Sequence, residues 1–558
     1  MAFTGFPRGL AKERTVSSLA TASWFDPVEL ERDAKSGGEF AYRSGKIWLG
    51  RSAAGDGVPV GWLDDKHMVT VAGSRAGKGT SAIIPVLCDY PGSVICIDPK
   101  GENAYRTASR RGFGTTTIKG LNQDVYVLDP FGVSGVRGEY LASFDPLADL
   151  DGGSQHTLEE AALIAEALVL SGNTRDPHWD ESARILIEGV ILHVVTSPHY
   201  AGRRHLGMVQ ALVRDGDREH YAAFGAHVRQ NGSETAKRNF AKWTPFDSLL
   251  TLMEENDAFN GVISGAALAI KSMGPNERGS VLSTARRNLK FLELPAMQRC
   301  LMPSAHTLQL EDLKRVPHGV SVYLVLPARF MKTHARWMRL MLNLTVSRLE
   351  RDAAKPASNH PVLAVLDEFA ILGHMPVLES AVGYMAGFGL KLWAILQDLS
   401  QLKRHYETSW ETFLGNAGLI QFFGNVDMTT LEHISKRLGE LEVITEVDNE
   451  DVSIAQSTAD MSDFEKASQL QGRGLGSLVA GFRFANETTS QSTTKTTSNR
   501  TTQNIQKTSL LTPDEIRMAF ARETGLQLIA SSDKQPLFLY RSEYYKDNYF
   551  TGKYNERM

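Results

Sequence analysis

The sequence predicts an α/β fold in which a mainly parallel sheet is interrupted by an all-helical insertion. Three observations carry this. Seven short runs rich in Val and Ile recur along the chain, several closed by Asp, Pro or Gly; continuous apolar runs of this kind read as strands buried on both faces. Between about residues 153 and 310 the apolar spacing turns helical, and no clear strand breaks it. A glycine-rich loop, "GSRAGKG" at 73–79, joins the first of these runs to a helix-like stretch, a connection suited to holding phosphate.

In chain order, residues 1–45 lack a clear pattern and read as an N-terminal arm with a short helix. "GKIWLGRS" is a β-rich entry. The expected strands then follow in "HMVTVAG" (67–73), "GSVICIDPKGE" (92–102), "DVYVLDPFG" (124–132), "GVSVYLVLP" (319–327), "PVLAVLDEF" (361–369), "LKLWAILQD" (390–398) and "LIQFFGN" (419–425). "TLEEAALIAEALVL" and "WDESARILIEGVILHVV" have helical spacing, and "ARWMRLMLNLTVSRLERDAAK" is a further amphipathic helix. The Ser/Thr-rich segment 488–502 permits an exposed hairpin through its threonine content, with a flexible surface loop as the preferred reading. Thr512 can cap a helix with Pro513 first and Glu515 three residues on, and "GLQLIASSDKQPLFLYRSEYY" reads as a β-hairpin. The expected division is an arm at 1–45, a first nucleotide-binding part at 46–152, an all-α insertion at 153–310 and a second nucleotide-binding part at 311–558.

Composition sets limits. The net charge of −4 over 558 residues argues against coating nucleic acid by bulk positive charge, though not against a locally basic channel. Cys88, Cys96 and Cys300 have no metal-ligand or disulfide spacing, and Cys88 and Cys96, in apolar runs, read as buried thiols of a reducing compartment. No window approaches the roughly 18 uninterrupted apolar residues of a membrane helix. A cytoplasmic protein is expected.

The loop departs from the usual G-x-x-x-x-G-K-[ST] pattern. Lys78 is followed by Gly79, the hydroxyl of Thr80 comes one position late, and Ala72 stands where the first glycine is usual. Its amides, over Gly73, Ser74, Arg75, Ala76, Gly77, Lys78, Gly79, Thr80 and Ser81, are placed to cradle phosphate, with Lys78 neutralising the β- and γ-phosphates. A second motif, "VLAVLDEFAIL", ends an apolar run in Asp367 and Glu368. Asp367 at a strand end suits magnesium, and Glu368 beside it suits a general base for the attacking water. For the ion, either Thr80 reaches from its displaced position or Asp367 and water carry it. Gln397, closing "LKLWAILQ", is placed to sense the γ-phosphate or orient water. ATP and Mg2+ are the expected cofactors.

Together these residues resemble the type IV secretion coupling proteins, the TraG-like conjugative DNA-transfer ATPases. The family's Arg-Ser-Gly-Lys-Gly type of loop is matched by Arg75-Ala76-Gly77-Lys78-Gly79, and its Asp-x-Lys-Gly-Glu strand end by Asp98-Pro99-Lys100-Gly101-Glu102. Asp129-Pro130, Asp145-Pro146-Leu147, "HWDESARILIEGVI", "SVLSTARRNLKFL", the acidic motif, Gln397 with "LSQL" and "LLTPDEIR" follow in family order, over roughly residues 40 to 547. The resemblance implies a RecA-like P-loop NTPase domain, an all-α domain that selects substrate and a homo-hexameric ring. It also implies DNA with its relaxase, or effector proteins, as cargo and secretion-channel components as partners. Family members usually begin with transmembrane helices, and here none is evident, so membrane association is expected only through a partner protein. Between the acidic motif and Gln397 the basic residue is Lys391, not the arginine finger of some hexameric relatives; Arg286, Arg287 and Arg404 are the candidates for that role.

The expected function is therefore ATP-driven recruitment and translocation of DNA or nucleoprotein. Two alternatives stand beside it: a nucleotide-responsive docking adaptor with little hydrolysis, and a cytosolic DNA pump of the FtsK/HerA type.

Overall fold

The computed structural model describes residues 22–169, 177–448 and 501–556. Thirteen strands are described: β1 (Ile47–Ser52), β2 (Pro59–Trp62), β3 (His67–Ala72), β4 (Val94–Asp98), β5 (Asp124–Leu128), β6 (Val320–Val325), β7 (Val362–Leu366), β8 (Leu390–Leu396), β9 (Ala417–Phe423), β10 (Glu440–Asp448), β11 (Thr501–Ser509), β12 (Leu526–Ser531) and β13 (Leu537–Tyr540). Each of the seven apolar runs forms a strand. β3, β4, β6, β7, β8 and β9 are buried at every residue, so Val and Ile pack on both faces and no polar alternation is available to the sequence.

The chain divides into two compact units, residues 1–90 with 395–551, and residues 91–394 with 552–558. In the first unit the strands run in the order β2-β1-β13-β12-β9-β3. β3 and β9 are parallel, while β1, β2, β12 and β13 form antiparallel pairs, β12 closing on β9. The expected C-terminal hairpin is thus β12–β13. Thr512 caps the helix Pro513–Ala519 in a reciprocal box with Glu515. β10 and β11 form an antiparallel ribbon from Glu440↔Ser509 to Asp448↔Thr501. Thr501 and Thr502, expected in the Ser/Thr-rich loop, therefore lie in a strand, and residues 488–500 lie outside the described residues.

Within residues 1–45, the part from 22 onward packs on this unit. Asp26 caps the helix Pro27–Lys35, Phe40 is buried, and the Trp24 ring meets Phe538 edge-on at 5.3 Å. The carboxylate of Glu31 accepts a bond from the Ser52 hydroxyl at 3.1 Å. Aromatic burial, spaced too irregularly to show a period, is what secures this segment.

In the second unit the order is β8-β7-β4-β6-β5, with every neighbouring pair parallel. Among the described residues no named strand lies between Leu128 and Val320. That interval carries helices including Gln155–Leu168, His178–Thr196, Leu206–Asp215, Pro245–Glu254, Val262–Ser272 and Pro275–Leu289. The amphipathic stretch forms the helix Ala328–Arg351. Its Arg348 bonds Glu160 at 2.7 Å and Asp149 at 3.1 Å, and also Glu311. Cys88, Cys96 and Cys300 are buried free thiols.

Candidate nucleotide site

β3 is a fully buried strand, so the loop that leaves it starts from a fixed point. Gly73 follows directly. Its N–H donates to the Phe423 carbonyl at 3.2 Å, and a Cβ there would stand 1.9 Å from the Gly424 carbonyl oxygen. Only glycine fits this close approach between the ends of β3 and β9. Arg75 and Gly77 take left-handed conformations, φ 58° and 96°. Left-handed residues alternating with right-handed ones turn successive amides to one side, which makes an anion-binding nest. Ser74 and Arg75 are exposed, Gly77, Lys78, Gly79 and Thr80 partly so, and Ala76 is buried against Ala72 and Phe423.

The helix after the loop opens with one wide turn, Gly79–Ile83, closed by the Ile84 N–H donating to the Gly79 carbonyl, and continues as Ile84–Asp89. Thr80 donates its hydroxyl to the Gly77 carbonyl at 3.2 Å, and Ser81 donates to the same oxygen at 2.8 Å. A hydroxyl that donates one bond keeps its lone pairs, so Thr80 retains the capacity to bind a cation. Gln397 follows β8 and is half-buried; its N–H donates to the Gln401 side chain at 3.4 Å.

The acidic pair belongs to the second unit. Asp367 and Glu368 leave the end of β7. Glu368 is left-handed, φ 54°, and its N–H donates to the Asp367 carboxylate at 3.0 Å. A non-glycine residue held in this region is strained, a condition that clusters at functional sites. Arg339 braces the following loop by donating to the carbonyls of Leu372 (3.0 Å) and His374 (2.6 Å).

β4 pairs with β7 through Ile97↔Leu366, so Asp98 sits beside Asp367. Asp98 is 1% exposed and accepts N–H bonds from Ala104 at 2.8 Å and Lys100 at 3.3 Å. Burial, with the Asp367 charge adding to it, pushes its carboxyl up to about 7. Asp98 appears in the sequence motif but carries no local signal of a site role; only the register of two parallel strands brings it to Asp367. Among the described residues no group of three or more His, Cys, Asp or Glu is arranged to hold a metal by itself. The acidic strand end fits the way magnesium is bound, by one or two carboxylates completed by phosphate and water.

Of the cations considered for a trans role, Arg286 and Arg287 are exposed on the helix Pro275–Leu289, and Arg404 is exposed on Leu399–Tyr406. Lys391 is 2% exposed inside β8, which removes it as a cation for another subunit.

The family of type IV secretory system conjugative DNA transfer proteins matches residues 23–476. The chain belongs to this family. Relatives within the conjugative DNA-transfer family include a conjugal transfer protein TraG of Escherichia coli, 26% identical over 72% of this chain and 61% of the relative. Protein VirD4 of Rhizobium radiobacter is 26% identical over 72% and 51%. The chain thus spans between about half and three fifths of the length of these relatives. Among solved structures, the unbound bacterial conjugative coupling protein TrwBdeltaN70 superposes with a TM-score of 0.55 at 14% identity, covering 93% of this chain and 92% of that one. Plasmid coupling protein TrwB in complex with ADP and Mg2+ gives 0.53 at 13%, covering 94% of each. The fold is the RecA-like P-loop NTPase fold with an all-α insertion. Among the described residues no helix is long and apolar enough to cross a membrane.

Proposed function

We propose that this protein is an ATP-hydrolysing coupling protein that recruits DNA or nucleoprotein, or effector proteins, and drives them into a type IV secretion apparatus. The observation that carries the reading is the phosphate loop, with left-handed Arg75 and Gly77 between a buried strand and a helix start. Lys78 and the loop amides bind the phosphates of ATP. Asp367 carries the magnesium ion, with the Thr80 hydroxyl as a further oxygen; Ser81, committed to Gly77, fixes the loop. The ion, when bound, draws charge off the phosphate oxygens. Glu368 takes the proton of the attacking water, and Gln397 reads the γ-phosphate. A homo-hexamer, a substrate-selecting helical domain within 153–310 and delivery to the inner-membrane face through a partner protein belong to the same proposal.

The test separates binding from turnover. Glu368→Gln should retain ATP with magnesium while turnover falls by about 100-fold or more, because binding needs no base. Asp367→Asn should weaken magnesium-dependent binding. Wild-type turnover in Glu368→Gln, or equal loss of binding in both variants, contradicts these roles. A wild-type protein that binds ATP but does not hydrolyse it, with or without DNA, favours the docking adaptor.

A further inference from the structure

Arg541 follows the last strand, β13, far in sequence from any nucleotide motif. Its guanidinium nevertheless reaches the phosphate loop. One terminal nitrogen donates to the Ala76 carbonyl, and the other donates to the Arg522 carbonyl at 2.8 Å. The group lies over the Phe423 ring, 4.8 Å from its centre. Among the described residues no carboxylate stands at ion-pair distance from it. Burial draws its pKa down to about 10, which still leaves it charged at neutral pH. Three residues on, the Tyr544 N–H donates to the Thr80 carbonyl at 3.0 Å. The segment 541–544 therefore grips the loop at two carbonyls, one on each side of Lys78.

The consequence follows from the planar trans peptide. Within one peptide unit the C=O and N–H point in opposite directions. Holding the Ala76 carbonyl toward Arg541 turns the Gly77 N–H away from it. Gly77 itself is left-handed, at φ 96°, and lacks a Cβ to restrict it, so without such a grip this peptide is free to flip. The guanidinium also places a positive charge behind the nest, offset in part by the more distant carboxylates of Glu543 and Glu523, where it favours an anion in front.

We propose that Arg541 is a positioning residue of the nucleotide site: it locks the Ala76–Gly77 peptide with the Gly77 N–H facing the phosphates and adds its charge to the attraction for a polyphosphate. This rests on the reading of 73–81 as a nucleotide loop. Binding lost equally in the ground and transition states raises KM and leaves kcat. Arg541→Met keeps the stem over Phe423 but removes donor and charge. It should raise the ADP–magnesium dissociation constant and the KM for ATP about tenfold, with kcat within about threefold. Arg541→Lys, which restores a charge and a donor, should bring both constants back to within about threefold of wild type.

Wild-type constants in Arg541→Met overturn the proposal. So does a loss that Arg541→Lys fails to recover and that comes with a lower melting temperature, which marks a residue that merely holds the C-terminal segment. Lys78→Ala, measured in parallel, separates the two levels: if it binds and hydrolyses ATP normally, the loop reading fails first. If it is inactive while Arg541→Met is normal, only the role of Arg541 fails.

Discussion

His193 shows how a single buried group sets a pH response. It is 2% exposed in the helix His178–Thr196. Its Nδ1 accepts from the Asn256 amide at 3.0 Å; that amide is oriented by its oxygen accepting from the Ala258 N–H at 3.1 Å. Burial lowers the imidazole pKa from 6.5 to about 4. As pH falls below 6.5 the unfolded chain takes up the proton first, so this group's stability is fully present above 6.5 and lost progressively down to about 4. Between pH 7 and pH 5 the loss is about 2 kcal/mol. Asp145, pushed up to about 6 by burial, acts with the opposite sign. The expected result, read by denaturant melts, is that His193→Gln loses less stability than wild type between pH 7 and pH 5, Asp145 being common to both. An identical pH dependence in the two proteins contradicts it. At this scale local sequence patterns nominate Lys78, Asp367, Glu368 and Gln397, and the structure places Lys78 in the loop after β3, the acidic pair at the end of β7 and Gln397 after β8. The sequence was silent about Asp98 beside Asp367 and about Arg541, because those contacts come from strand register and from chain returning after more than four hundred residues.

Among the elements, the helix Ala328–Arg351 carries a charge cluster at its last turns. Arg348 is 6% exposed at its side chain and bonds Glu160, Asp149 and Glu311; Arg351 adds a bond to Glu160 at 2.5 Å. Removing Arg348 leaves the buried Glu160 and Glu311 with only the partly exposed Arg351 as a cation, which costs about 3 kcal/mol. Arg348→Met should therefore shift the unfolding midpoint markedly, without altering the phosphate loop in the other unit. A midpoint equal to wild type shows that the cluster contributes specificity and not stability. The helix itself was plain in the amphipathic period, and so were the buried strands, because uninterrupted Val and Ile runs have few other uses. The Arg348 cluster was not, since its partners lie on separate segments. Residues 1–45 read as an arm in the sequence for a related reason: Trp24 and Phe40 pack on residues distant in sequence, and irregular spacing hides such burial.

For the whole molecule the proposal is a ring whose work depends on nucleotide. Sizing in a slowly hydrolysed ATP analogue with magnesium should shift the protein from monomer toward hexamer. A strict monomer at every concentration with full ATPase activity contradicts catalysis by a neighbouring subunit, and with it a trans role for Arg286, Arg287 or Arg404. The central claim, that the loop at 73–81 binds and spends ATP, is tested most directly by the ATP turnover of Lys78→Ala beside the wild-type protein, at equal folding and with DNA present. Turnover should be lost in the variant, with its melting temperature unchanged, because the proposal makes Lys78 a phosphate ligand and its side chain is partly exposed outside the core. Wild-type turnover by Lys78→Ala would contradict the account.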